Sequence, residues 1–204
     1  MSWLGYLADP DALFIADTSV LINLNATGRA ESILGGLPCR FAVPENVCVE
    51  VENGRANGHG DADHLDRLVA SGHLKRLTLG EAGLAVYEKL VDGSTLRTLD
   101  DGEAATIGCA VEVSGVALID ERKAQNLCAE LFPALPLVCT VELLLSARIA
   151  DILGPEEHAG ALLNALRFAR MRVPKPLVPD VRRLIGHDHA ARCTSLPRAG
   201  LSVR

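Results

Sequence analysis

Short apolar runs spaced by helix-length stretches constrain this chain more than any other feature. "LFIA" (13–16), "CRFAVP" (39–44), "VALI" (116–119) and "LPLVC" (135–139) are of strand length and almost wholly apolar, and "LKRLTL" (74–79) adds a more polar fifth. An apolar run without alternation fits a strand covered on both faces, the kind found in parallel sheets. The intervening segments carry helix signals. "SVLINLNATGRAESILGG" (19–36) reads as one helix stopping at Gly35-Gly36, and "PENVCVEVEN" opens on Pro44, which suits a first helical turn. "ADHLDRLVASG" places Leu65, Leu68 and Val69 on one face. "EAGLAVYEKLVDG", "EAATIGCAVEVSG", "RKAQNLCAELF" and "LVPDVRRLIG" are further helices, "TVELLLSARIADIL" reads as one more, and "PEEHAGALLNALRFAR" starts at Pro155. Strand and helix alternate throughout, so the expected class is α/β: three layers, α/β/α, around a mostly parallel sheet.

A length of 204 residues suits one such domain. We expect it over 13–186, with an N-terminal extension (1–12), a glycine-rich loop "NGRANGHGDAD", a turn-like "STLRTLDDG", and a loose C-terminal tail (187–204). Hydrophobic residues make up 49% but aromatics only 3%, so the core must be aliphatic. No apolar run is long enough to span a bilayer and "MSWLGYLADPDA" is acidic, unlike a signal peptide, which implies a soluble, cytoplasmic chain. Six cysteines form no CxxC pair, and Cys48, Cys109, Cys128 and Cys139 lie in apolar stretches; buried thiols are expected rather than disulfides or a zinc site. The net charge of −6 does not advertise nucleic-acid binding, yet it is uneven. Residues 148–204 hold ten Lys/Arg against five Asp/Glu, and residues 1–147 hold ten against twenty-one. A cationic face beside an acidic body, or a solvated helix with a basic tail, would each fit.

In an open parallel sheet, function gathers at the carboxyl ends of the strands. Asp17 and Asp120 each follow an apolar strand directly, Glu103 opens the helix preceding "VALI", and Glu50 lies in the helix after the second strand. Each has an ordinary alternative. Asp17 before Thr18-Ser19 could be only a helix cap, Glu103 a favourable first-turn charge, Glu50 and Glu52 a wet helix face, and Asp120 a turn residue. Acids brought together would repel and be pushed up in pKa unless a cation neutralised them. With no His or Cys joining them, Mg²⁺ or Mn²⁺ is the natural ion, suited to activating water against a phosphodiester.

These stretches resemble the PIN-domain family, metal-dependent nucleases that include ribonuclease toxins of toxin–antitoxin pairs. "IADTSVLINL" resembles its first motif and implies Asp17 as an acid with Ser19 as the supporting hydroxyl. "VPENVCVEV" implies Glu50 over Glu52, and "LDDGEAATIGCA" implies Glu103, with Asp101 as stand-in. "VALIDERKA" implies Asp120 as the fourth acid, with Glu121 assisting. The third and fourth motifs lie closest to a PIN branch of unassigned role. In "VCTVELLLSARIADIL" Thr140 is kept, while Cys139, Arg148 and Asp151 depart from the family pattern and Glu142 adds an acid. The resemblance implies a Mg²⁺/Mn²⁺-dependent endoribonuclease acting on RNA, a possible small antitoxin partner and a possible homodimer.

Basic side chains such as Arg122, Arg148, Arg167 and Arg170 are candidates to hold the RNA backbone; for Arg122, pairing with one of the acids is slightly favoured. "HGDADH" (His59, Asp61, Asp63, His64) and "HDH" (His187, Asp188, His189) have ligand chemistry but no zinc spacing, and solvated segments are expected. No phosphate-binding glycine loop follows a strand. Two other functions stay open: a degenerate PIN domain serving as a nucleic-acid- or protein-binding module, and a phosphotransfer or phosphatase domain using Asp17 as nucleophile. The second lacks the Asp expected two residues after Asp17.

Overall fold

A computed structural model describes residues 3–56, 60–92 and 98–197. In chain order, α1 (Trp3–Tyr6) leads into β1 (Leu13–Ala16), α2 (Thr18–Ala26) and α3 (Ala30–Gly36). Then come β2 (Arg40–Pro44), α4 (Glu45–Ala56), α5 (Asp61–Ala70), β3 (Lys75–Leu77), α6 (Glu81–Val91) and α7 (Asp101–Glu112). β4 (Val116–Leu118), α8 (Arg122–Leu131), β5 (Leu137–Val138), α9 (Thr140–Leu145) and α10 (Ala147–Phe168) follow. A 3₁₀ turn (Lys175–Leu177) joins α11 (Val178–Ile185) and α12 (His187–Arg192).

The five strands form one sheet in the order β3-β2-β1-β4-β5, and every pairing is parallel. Register follows the apolar pattern: Ile15 lies beside Ala42 of β2 and Ala117 of β4. Alternation along these short strands splits the core in two. Phe14, Ala16, Phe41, Val43, Val116 and Leu118 face α2–α5 and the C-terminal helices, while Ile15, Ala42, Ala117 and Ile119 face α6, α7 and α8. The two-faced burial of each strand explains why it carries no polar alternation. The aromatic contribution is small: Phe14 and Phe41 pack with ring centres 5.4 Å apart. All six cysteines are free, buried thiols.

α7 shows how a helix can lie close to its neighbours. Gly102, Ala104, Ala105, Thr106, Ile107, Gly108, Cys109 and Ala110 are buried on it. A Cβ on Gly108 would stand 2.6 Å from the Gly83 carbonyl of α6, so only hydrogen fits there.

Three sequence expectations differ from the structure. The helix expected over 19–36 is broken between α2 and α3, where Thr27 bonds back to the Leu24 carbonyl and Gly28 adopts φ 69°. The helix expected over 140–153 is interrupted at Ser146, whose hydroxyl accepts the Ile149 N–H as the cap of α10. Within α10, Gly154 at φ 74° makes a kink and Pro155 restarts the helix. Finally, the segment read as a loose tail contains α12, and Ala190, Cys193 and Leu196 are buried in the larger core. Of the expected turn "STLRTLDDG", residues 94–97 lie outside the described residues, as does His59, while Asp101 and Gly102 already belong to α7. Among the described residues, no helix is long and apolar enough to cross a membrane.

Candidate active site

The carboxyl ends of β1 and β4 meet at the centre of the sheet, and the acids that follow them line one crevice of about 580 Å³. Asp17 sits at its floor, only 3% exposed. It is the cap of α2: its carboxylate accepts from the Val20 N–H at 2.8 Å and from the Ser19 hydroxyl at 2.9 and 3.1 Å. The cap role and the crevice role therefore coexist in one side chain. Burial first, then the neighbouring Asp120, push its carboxyl up to about 7, against the lowering effect of Val20 N–H and Ser19.

Asp120 is held from three directions. Thr140 donates through its N–H at 2.7 Å and its hydroxyl at 2.6 Å, and the Asn23 amide donates at 2.6 Å. Burial raises its pKa, and these three donors work against the rise. Glu103 stands in the first turn of α7, where it bonds back to the Asp100 N–H at 3.4 Å in a capping box. Burial pushes its carboxyl up to about 7 as well, with Asp100 and Glu121 adding to the rise.

Glu50 is exposed on α4, and the Thr18 hydroxyl donates to it at 2.6 Å. It reaches the crevice beside Gly102, where a Cβ would come within 2.8 Å of its carboxylate. Glu52 instead pairs with Arg55 at 3.3 Å. Glu121 lines the crevice but is also the cap of α8, accepting from the Lys123 N–H, and it pairs with Arg172 at 3.2 Å. Asp101 does not line the crevice: Tyr87 and Asn46 donate to its carboxylate. Glu142 caps α9 by accepting the Cys139 N–H at 2.9 Å, which accounts for it structurally.

The basic candidates separate. Arg170 lines the crevice, in a left-handed conformation with φ 53° that is uncommon for a non-glycine residue. Arg122 lies in the adjoining groove and, against expectation, makes no ion pair with an acid among the described residues; Arg172 takes that place on Glu121. Arg167 approaches His189 of α12, and Arg148 stands near Cys39, just before β2 and so at the amino ends of the strands, away from the crevice. Of the discounted polar motifs, Asp61 accepts from Asn25, Asp63 pairs with Arg55, His64 contacts Arg67, and His187 and Asp188 are exposed on α12.

Sequence reasoning missed Asn23, Thr18, Lys123 and Arg172. For Asn23 the signal was an amide inside an apolar helix six residues after Asp17; for Arg172 only the positive charge of the C-terminal quarter pointed that way.

The donor set is all carboxylate oxygen, which suits a hard divalent ion, and its buried member Asp17 and half-buried member Asp120 form no ion pair among the described residues. Among the described residues no three His, Cys, Asp or Glu side chains converge into a tight ligand group, as expected for like charges that repel across a crevice.

Fold and site together define a parallel α/β/α protein with an acid-lined crevice at its topological switch point. The chain belongs to the PIN-domain family: the family model DUF3368, a PIN domain, matches residues 13–187. Members of this family are generally nucleases. No curated protein and no solved structure matches the chain.

Proposed function

We propose that the chain is a Mg²⁺- or Mn²⁺-dependent endoribonuclease that hydrolyses RNA phosphodiester bonds in this crevice. The observation that carries the reading is the pair of acids at the centre of the sheet, buried Asp17 and half-buried Asp120, each fixed by neutral donors and neither in an ion pair among the described residues. Asp17, Asp120, Glu103 and Glu50 would hold the ion, with Glu121 assisting. When bound, the ion supplies Lewis acidity and an activated water. The chain's own part is positional: Ser19 and the Val20 N–H orient Asp17, while Thr140 and Asn23 orient Asp120. Lys123, Arg170 and Arg172 at the crevice wall offer cationic donors to phosphate oxygens.

The test is incubation of the purified protein and its Asp17→Asn variant with generic RNA in Mg²⁺ or Mn²⁺. Cleavage by the wild type is expected to fall at least about 100-fold in the variant, while the circular dichroism spectrum is unchanged. Full activity in the variant, or an inert wild type, overturns the reading. A toxin role would add a small antitoxin with a segment that occludes the crevice, and the neighbouring reading frame is the observation that tests it.

A further inference from the structure

Beyond Asp120 the crevice continues into a second groove of about 870 Å³, and the two share Asp120 and Arg172. The sign of the lining changes across that boundary. The crevice carries six carboxylates, Asp17, Glu50, Asp100, Glu103, Asp120 and Glu121, against three cations, Lys123, Arg170 and Arg172. The groove carries Arg122, Arg172 and Lys175, and its one lining carboxylate is Asp120, already occupied by Asn23 and Thr140. Neither Arg122 nor Lys175 forms an ion pair among the described residues. In a chain of net charge −6, unpaired cations gathered on one wall mark a place for an anion. Pro174 and Pro176 flank Lys175 and restrict the backbone that presents it.

We propose that this groove carries a single RNA strand away from the acid crevice, with Arg122, Arg172 and Lys175 gripping phosphates on one side of the cut. The proposal rests on the ribonuclease reading above. A single strand is favoured because Asp17, at the floor of the crevice, is only 3% exposed. A duplex is too wide to bring a phosphodiester to that floor, whereas one strand can thread it. An acidic protein segment would match the groove but would meet five further carboxylates in the crevice. A phosphodiester is accommodated there by the divalent ion that the ribonuclease reading requires.

The test uses the full chain. Binding of a labelled single-stranded 12-mer RNA is followed by anisotropy across a salt series, in Mg²⁺ and in the Asp17→Asn background to prevent turnover. Arg122→Gln/Lys175→Gln is compared with Arg148→Gln, which lies near the amino ends of the strands and lines neither the crevice nor the groove. Losing two phosphate contacts should make the log–log salt slope shallower by about 1.4, with binding weakened about tenfold or more at low salt. Arg148→Gln should leave both unchanged. With Asp17 intact, the double variant should raise the KM for the 12-mer and leave kcat within about twofold. If the double variant does not fold, Lys175→Gln alone should give half the slope change. An unchanged slope, with Asp17-dependent cleavage intact, overturns the groove and spares the ribonuclease reading. A protein that neither binds nor cleaves the 12-mer overturns both. Equal losses for a duplex 12-mer overturn the single-strand path. RNA binding that is unchanged while an Asp/Glu-rich peptide loses its binding identifies the groove as a protein site and also overturns the proposal.

Discussion

Asp17 occupies a position where a neutral cap would serve stability better. Its carboxyl titrates near 7 in the fold against 3.8 for the ordinary group, so the folded state binds that proton more tightly than the unfolded state. The sign follows from linkage: the stabilising contribution is fully present below about pH 3.8 and is lost as pH rises through about 7. Asn retains an acceptor for the Val20 N–H but cannot ionise. The metal-free Asp17→Asn variant should therefore be more stable than wild type at pH 8, by on the order of 4 kcal/mol, with the gap closing toward pH 4. Thermal melts in EDTA across that range measure it, and a variant no more stable at pH 8 contradicts the assignment. Mg²⁺ at a hundredfold excess over Kd should narrow the gap by stabilising the wild type alone, by about 2.7 kcal/mol. Thr140 offers a complementary case. Thr140→Val removes the hydroxyl donor to Asp120 and keeps the N–H. Cleavage should drop about 10- to 100-fold, and Thr140→Ser should restore it.

At the scale of elements, legibility followed burial and sequence distance. The strands could be read because each is buried on both faces and so is written in apolar residues alone. Asp17 and Asp120 could be read because they directly follow such runs. The breaks at 27–29 and Ser146 could not, because a threonine–glycine pair or a serine within a helical pattern is also tolerated without a break. Side chains that complete the site were illegible for another reason: Asn23 meets Asp120 across 97 positions and Arg172 meets Glu121 across 51. No local pattern encodes such pairings. α7 shows what small residues in a helix do once packed. Gly108→Ala places a methyl 2.6 Å from the Gly83 carbonyl, a backbone atom that can yield only if α6 shifts. The expected cost is about 2 kcal/mol, a Tm drop of roughly 4–8 °C in a thermal melt. An unchanged Tm would mean that α6 and α7 are not held as closely as described.

At the scale of the whole molecule, the PIN match ends at residue 187 but the packed chain does not. Ala190, Cys193 and Leu196 are buried in the larger core, Ser195 donates to the Leu166 carbonyl at 3.0 Å, and residues 194–197 form one wall of the basic groove. The C-terminal segment thus does two separable things: it closes the core behind α10 and it shapes the ground next to the acid crevice. The acids themselves stand just after β1 and β4 and on α4 and α7, whereas the segment's hydrogen bonds go to α10 and α11. A chain ending at Gly186 should accordingly fold with its parallel sheet intact but melt on the order of 10 °C lower. Its metal-dependent cleavage of a dinucleotide, measured below that melting temperature, should stay close to that of the full chain, while cleavage of a 12-mer falls through KM. Equal loss on both substrates would show instead that the segment supports the crevice itself.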